Sequence, residues 1–298
     1  MYNFLSFANA KTMKKYILGL VLCICCFGIL LSIKPVFVTA SFAQEDTLLG
    51  ENTPRTDFSK PKASLLAIVI DDFGGYERGG VDDLLNSNIP ITCAIMPFVD
   101  NTQSDYTRAI EGGKEVILHM PMQAHVNLPE NWYGEIYIKN TDTPETAINK
   151  LQKCLNSLPK AKGFNIHIGS GVSQNVELMK SLYEYANNNN MFFLDSRTIL
   201  SDKCEEACNQ ANSIYLGRDV FLEPEHNRSH TGVTSRLQEG VNIAHEKGYA
   251  IVIGHVGPEG GINTSRAIID FANSAKEQNI EIVPLSTIYE HIKNNHFQ

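Results

Sequence analysis

The chain has 298 residues, of which 43% are apolar and 19% charged, with a net charge of −8. That length holds one large α/β domain, and the composition excludes a disordered or fibrous chain. A phosphate-binding surface needs a basic field, so the acidic balance argues against nucleic acid as a partner.

The first 43 residues carry four basic side chains and no acidic one. Lys14 and Lys15 precede the apolar run Tyr16–Ile33, and small residues follow around Ala40–Ala43, the pattern of an export signal ending at Ser41-Phe42-Ala43. The apolar run is about 18 residues long, so retention as a membrane anchor stands beside cleavage. Either way the sequence predicts an exported protein, periplasmic or extracellular, with or without an inner-membrane tether. Residues 44–62 carry Pro, Thr, Asp, Asn and Lys without periodicity and read as a flexible linker. The folded domain is expected over 63–298.

From Ala63 onward strand and helix signals alternate. Apolar runs predict strands at 65–71, 91–96, 115–120, 163–168, 191–195, 214–222, 249–254 and 280–285. Helices are expected at about 77–87, 101–112, 144–157, 173–189, 229–247 and 264–278. Pro144 after Thr143 suits a helix start, and Asn187–Asn190 suits a helix end. Short apolar strands alternating with helices imply a parallel sheet covered by helices. The fold class is therefore α/β, an irregular seven- or eight-stranded (β/α) barrel. An open doubly wound sheet competes, but neither G-x-G-x-x-G nor a P-loop follows any strand. Gln123–Asp142, which holds the only tryptophan, Trp132, reads as a long irregular loop.

Six of the apolar runs end on residues suited to chemistry, as the C-terminal mouth of a barrel does when it is an active site. Asp71 and Asp72 close the first. Two carboxylates there repel each other unless a cation or shared proton relieves them; a helix-capping role for one is the plainer alternative. His119 and His167 lie near the ends of consecutive strands. Neighbouring strands are about 4.8 Å apart, so two inward imidazoles can share one ion with Asp72. Two nitrogens and one oxygen are the ligand count of a catalytic zinc or a similar divalent transition metal. A packed core histidine is the alternative for each alone. His125, in the loop, is the weaker candidate.

His255 ends the run IVIGHVG and reads as a general acid across the mouth from the Asp pair. Asp195, Arg197, Arg218 and Asp219 place Arg near Asp at two strand ends, which predicts an ion-pair network holding the mouth or tuning the catalytic groups. Asn165 and Ser170 are expected to hydrogen-bond substrate or ligand residues. Of the cysteines beyond the export segment, Cys93 and Cys154 read as buried thiols. Cys204 and Cys208 are the pair easiest to close as a disulfide.

The stretches AIVIDDFG (67–74), ILHMPM (117–122), GFNIHIGS (163–170), FFLDSRT (192–198), GRDVFL (217–222) and AIVIGHVGP (250–258) together resemble the divergent polysaccharide deacetylase family, relatives of the metal-dependent carbohydrate esterases with a NodB-like barrel. The resemblance covers about residues 65–290. It implies that Asp71 is the base, Asp72 a metal ligand and His255 the general acid. The wider fold puts a second metal-binding His four residues after the first. Here that place holds Gln123, and His167 is expected to replace it from the next strand. The Arg and Tyr of the wider family's substrate site have no clear match.

These features predict an exported zinc-type hydrolase that removes acyl groups, N-acetyl foremost, from an envelope or extracellular glycan. A barrel that binds a glycan or an envelope partner without hydrolysis is the alternative from another class.

Overall fold

The structure, a computed structural model, describes residues 62–223 and 226–296. The expected export segment and nearly all of the linker lie outside them. Among the described residues no helix is long and apolar enough to cross a membrane.

The elements run in chain order as β1 (Ser64–Phe73), α1 (Val81–Leu85), β2 (Thr92–Ile95), α2 (Thr102–Glu111), β3 (Glu115–Met122), α3 (Pro144–Leu155), β4 (Gly163–Ile168), α4 (Val176–Asn188), β5 (Phe192–Asp195), α5 (Lys203–Gln210), β6 (Leu216–Gly217), β7 (Val220–Phe221), α6 (His230–Lys247), β8 (Tyr249–His255), α7 (Gly261–Ser274), β9 (Ile280–Val283) and α8 (Leu285–His296). Every strand pairing is parallel, in the order β6-β5-β4-β3-β2-β1-β8-β7. β9 pairs with the first half of β1 and β2 with the second half. The sheet is curled into a ring because β6 and β7, only two residues apart, pair with β5 and β8 respectively. This is the expected (β/α) barrel, with one irregular seam.

The seam corrects the expected single strand at 214–222. The chain breaks at Arg218-Asp219, where Arg218 N–H donates to Asp195 O and Asp219 N–H to Ile251 O. The sixth strand position thus serves one neighbour with its first half and the other with its second. Two helices were not anticipated. α5 follows the predicted strand at 191–195, and α8 follows β9, which stops before Pro284 because proline cannot donate to the ladder. α8 carries Leu285, Ile288, Tyr289 and Ile292 on one face, packed against the barrel interior.

Strand alternation sorts the side chains into two layers. Leu66, Ile68 and Ile70 of β1 face the surrounding helices. Leu65, Ala67 and Val69 face the barrel interior with Ile117, Leu194, Leu216, Ile251 and Ile253. Continuing two residues along the inward rows brings Val69 to Asp71, Ile117 to His119 and Ile253 to His255. A dry lower interior, closed by α8, therefore turns into a polar upper layer.

Cys93, Cys154, Cys204 and Cys208 are all free and buried. Cys204 and Cys208 lie on α5 and turn into the core, with Cys204 Sγ 3.4 Å from Ser173 O, so they pack as apolar groups and are not bridged.

A candidate metal centre at the barrel mouth

Asp72 begins the site by breaking the alternation of its strand. An outward residue of β1 would meet the helices, but Asp72 has φ of 68°, a left-handed conformation, beside a register shift between Ile70 and Phe73. The turn brings its carboxylate over the mouth next to Asp71. Aspartate tolerates this conformation better than most residues do. Behind the turn, Gly74 N–H donates to Asp105 Oδ2 at 2.8 Å, and Arg78 forks onto the same buried carboxylate.

His119 and His167 meet Asp72 from β3 and β4. Asp72 Oδ1 lies 3.3 Å from His119 Nε2 and 3.2 Å from His167 Nδ1, and the two nitrogens are 3.1 Å apart. Three ligands of one ion with bonds of about 2.0–2.1 Å in tetrahedral geometry sit about 3.3–3.4 Å apart. Their distal nitrogens are committed. His119 Nδ1 meets Asn165 Oδ1 at 2.7 Å, and His167 Nε2 meets the Trp132 carbonyl at 3.1 Å. Each distal nitrogen must donate to its oxygen, so each neutral ring turns a lone pair toward the common point. Asp72 Oδ1 adds a third; it is buried and receives no hydrogen bond of acceptable geometry. Three lone pairs facing one another need a cation or a proton between them. The donor set fits a divalent transition metal on all three counts: chemistry, spacing and an orphaned oxygen.

The charges respond as a buried cluster should. Burial raises the Asp71 carboxyl above its ordinary value, against the pull of His119 and His255. Burial also works against the Asp72 carboxylate, but the close approach of the His119 and His167 imidazoles outweighs it and holds Asp72 well below the usual range. Burial disfavours charge on His119 too, and Asp71 and Asp72 overcome it.

Asp71 is 2% exposed and has one oxygen already engaged: Asn165 Nδ2 donates to Oδ1 at 2.8 Å. The other, Oδ2, faces the centre, 3.7 Å from His119 Nε2 and 4.0 Å from His255 Nε2. His255, expected across the mouth from the Asp pair, instead sits beside it, because β8 is the direct neighbour of β1 and pairs His255 with Asp71. Its Nδ1 pairs with Glu223 Oε2 at 3.0 Å, while Glu223 Oε1 accepts from His255 N–H and from the Thr264 hydroxyl. Burial opposes the imidazolium, yet the Glu223 hydrogen bond and charge push His255 up to about 9. Glu223 is buried and was missed in the sequence, where it follows the last predicted residue of a strand. Its one signal is a lone acid directly after the apolar pair Phe221-Leu222.

Asp71, Asp72, His119, His167 and His255 open onto one cavity of about 1080 Å³, which Glu223 and Asn165 do not line. Tyr76 and Trp132 stand on its rim, 83% and 55% exposed.

The sequence pattern of the divergent polysaccharide deacetylases matches residues 68–289, most of the chain. The chain belongs to the divergent polysaccharide deacetylase family. Among curated proteins it is similar to the uncharacterized protein YibQ of Escherichia coli strain K12, 30% identical over 200 residues. That match covers 66% of this chain and 60% of YibQ, so the chain spans less than two thirds of that relative. An uncharacterized protein of Haemophilus influenzae is 28% identical over 197 residues, covering 65% of this chain and 68% of that one. Among solved structures, the uncharacterized protein ATU2773 of Agrobacterium tumefaciens C58 superposes with a TM-score of 0.67 at 18% identity, over 78% of this chain and 91% of that one. At that identity the likeness concerns the fold alone.

Within this deacetylase-family barrel, Asp71, Asp72, His119, His167 and His255 come together, with Asn165 bridging His119 and Asp71 from below. Gln123, in the place of the wider fold's second histidine, instead accepts from Asn140 N–H and holds the loop. Arg197 and Arg218 line the cavity.

Besides Asn165, three expected residues do not line it. Asp195 follows the inward Leu194, so alternation turns it outward, where it accepts from Tyr215 OH and Arg197 N–H. Asp219 sits at the seam, accepting Ile251 N–H and pairing with Lys247. Ser170 lies beyond the turn at Ile168-Gly169, both with positive φ, and its hydroxyl meets the backbone and ring of His125. His125 is thereby tied to that loop, not to the centre. The expected Arg–Asp ion-pair network is absent among the described residues, because each of these carboxylates is taken by nearer donors and the guanidiniums bond carbonyls.

Proposed function

We propose that the protein is a metal-dependent hydrolase that removes N-acetyl groups from a glycan outside the cytoplasm. The observation that carries this reading is one cavity holding three converging ligand atoms beside a carboxylate and a carboxylate-paired imidazole. Asp72, His119 and His167 would hold the ion, and zinc is the reading their nitrogen and oxygen donors favour. Such an ion supplies Lewis-acid polarisation of an acyl carbonyl and acidifies water.

The protein's own groups divide the proton work. Asp71 offers Oδ2 as the base, since Asn165 already occupies Oδ1. Burial raises this carboxyl, which makes it a better proton acceptor than an exposed aspartate. His255, with Nδ1 on Glu223, presents Nε2 toward Asp71 and the cavity. It is protonated at neutral pH and can give that proton to the departing amine. Base and acid thus stand side by side on neighbouring strands, 4.0 Å apart at Oδ2 and Nε2, both facing the cavity in which an acyl group would lie.

The rim supports a sugar substrate. Large aromatic faces left in water beside a polar centre suit ring stacking, and Tyr76 and Trp132 provide two. Export rests on the basic-then-apolar N-terminal segment, with an envelope or extracellular glycan as the matching substrate and an inner-membrane tether where the segment is retained.

Asp71→Asn tests the assignment of the base. The variant should keep its metal and lose N-deacetylation of N-acetylglucosamine oligomers by ~10²–10⁴-fold. Turnover within about threefold of wild type would remove Asp71 from the mechanism.

A further inference from the structure

Opposite β1 in the ring, the cavity wall built by the ends of β5 and β6 carries two arginines. Arg218 Nε donates to Ser196 O at 2.7 Å and its Nη2 to Arg197 O at 2.8 Å. Arg197 Nη1 returns a bond to Arg218 O at 3.2 Å, and its Nε meets Tyr215 OH at 3.3 Å. The two residues are therefore locked to each other through their backbones. All four acceptors are neutral, and neither guanidinium forms an ion pair among the described residues. Arg218 Nη1 and Arg197 Nη2 remain without a partner there.

Position makes this more than an unpaired surface charge. The Arg218 guanidinium lies over the Phe221 ring at 5.0 Å, and Phe221 in turn meets the His255 ring at 4.9 Å between centroids. The cation stands one aromatic ring away from the group assigned as general acid. Apart from Asp71 and Asp72, the acids that line the cavity, Glu77 and Glu259, follow β1 and β8, and Glu259 already pairs with Arg228. Partly burying a cation without an anion is costly, and two neighbouring cations add repulsion. Burial indeed lowers the Arg218 pKa, with Arg197 contributing in the same sense and Asp195 and Asp71 against it. Two preorganised guanidiniums lining a cavity, each with one terminal nitrogen free, match a carboxylate.

We propose that Arg197 and Arg218 form an anion subsite that takes a carboxylate carried by the glycan, so the substrate is an acidic sugar chain. This deepens the deacylation reading and rests on it for the kind of substrate. The subsite places the charge on the β5–β6 side of the reacting centre, with the acyl group in the cavity beside Asp71 and His255.

The test uses a matched pair: an alternating N-acetylglucosamine–glucuronate tetrasaccharide and its carboxyl-reduced counterpart, which differs only in charge. The subsite predicts kcat/KM at least ~10-fold higher for the acid, about one charge-assisted hydrogen bond, carried mostly in KM. Arg218→Gln and Arg197→Gln should each shrink that ratio below about threefold, and Arg218→Lys should keep part of it. Arg197 is exposed, so its variant guards against a folding defect at Arg218. Equal kcat/KM for the two sugars would overturn the subsite and leave the hydrolase reading standing. Tighter calorimetric binding of the acid by wild type but not by Arg218→Gln, with no turnover of either sugar, would uphold the subsite and overturn the hydrolase. Neither turnover nor a binding preference would overturn both.

Discussion

Asn165 is a neutral side chain that organises two charged neighbours. Its amide oxygen accepts from His119 Nδ1 and its amide nitrogen donates to Asp71 Oδ1, which fixes one ring's tautomer and one carboxylate's free oxygen together. Glu223 does the same for His255, and its effect can be read against pH. The His255 pKa is raised to about 9, so the acid form persists through neutrality and is lost as pH climbs past that value. Glu223→Gln removes the charge that raises it. The alkaline limb of kcat should then move down toward about 6.5, the value of a free imidazole. At pH 6 the variant should keep most of its rate, and at pH 8 it should lose roughly thirtyfold. An unmoved alkaline limb in the pH–rate profile would show that Glu223 does not tune the acid. The inward histidines were legible because each ended an apolar run. Glu223 was not, since a buried carboxylate after a strand looks like any loop acid until its partners are in place.

At the scale of elements, the site depends on how closely β4 lies against β5. A Cβ on Gly163 would come within 2.4 Å of the Phe192 carbonyl oxygen, which is backbone and cannot swing away. Gly163→Ala must push the two strands apart at their start, two residues before Asn165 and four before His167. The expected cost is ~1–3 kcal/mol in chemical denaturation, as for other overpacked sites. A variant as stable as wild type would mean the strand spacing is softer than the packing suggests. Strand alternation also explains which expectations failed. Leu194 is inward, so Asp195 had to be outward, a parity readable in FFLDSRT once the facing of one residue is known. Asp72 could not be placed by parity at all, because its left-handed φ breaks the rule locally. The seam at Arg218-Asp219 was equally hidden. Its nine-residue run has the apolar content of one strand, and only the closing of the ring shows that two neighbours share it.

For the whole molecule, the barrel separates stability from chemistry along its axis. The lower interior is apolar and plugged by Leu285 and Ile288 of α8, and the upper interior carries the titratable groups. The division lets buried charges gather at the mouth while the interior below them stays dry. It was largely legible as six apolar runs with polar ends, whereas the α8 plug was not, because its apolar spacing follows directly on a strand. The central claim is that Asp72, His119 and His167 form one ion site, and metal content tests it most directly. Elemental analysis of the purified protein after zinc loading and desalting should find about one ion per chain, falling below about 0.2 in His119→Ala and His167→Ala variants that remain folded. A folded wild type that retains no stoichiometric transition metal, or variants that keep the wild-type content, would contradict it.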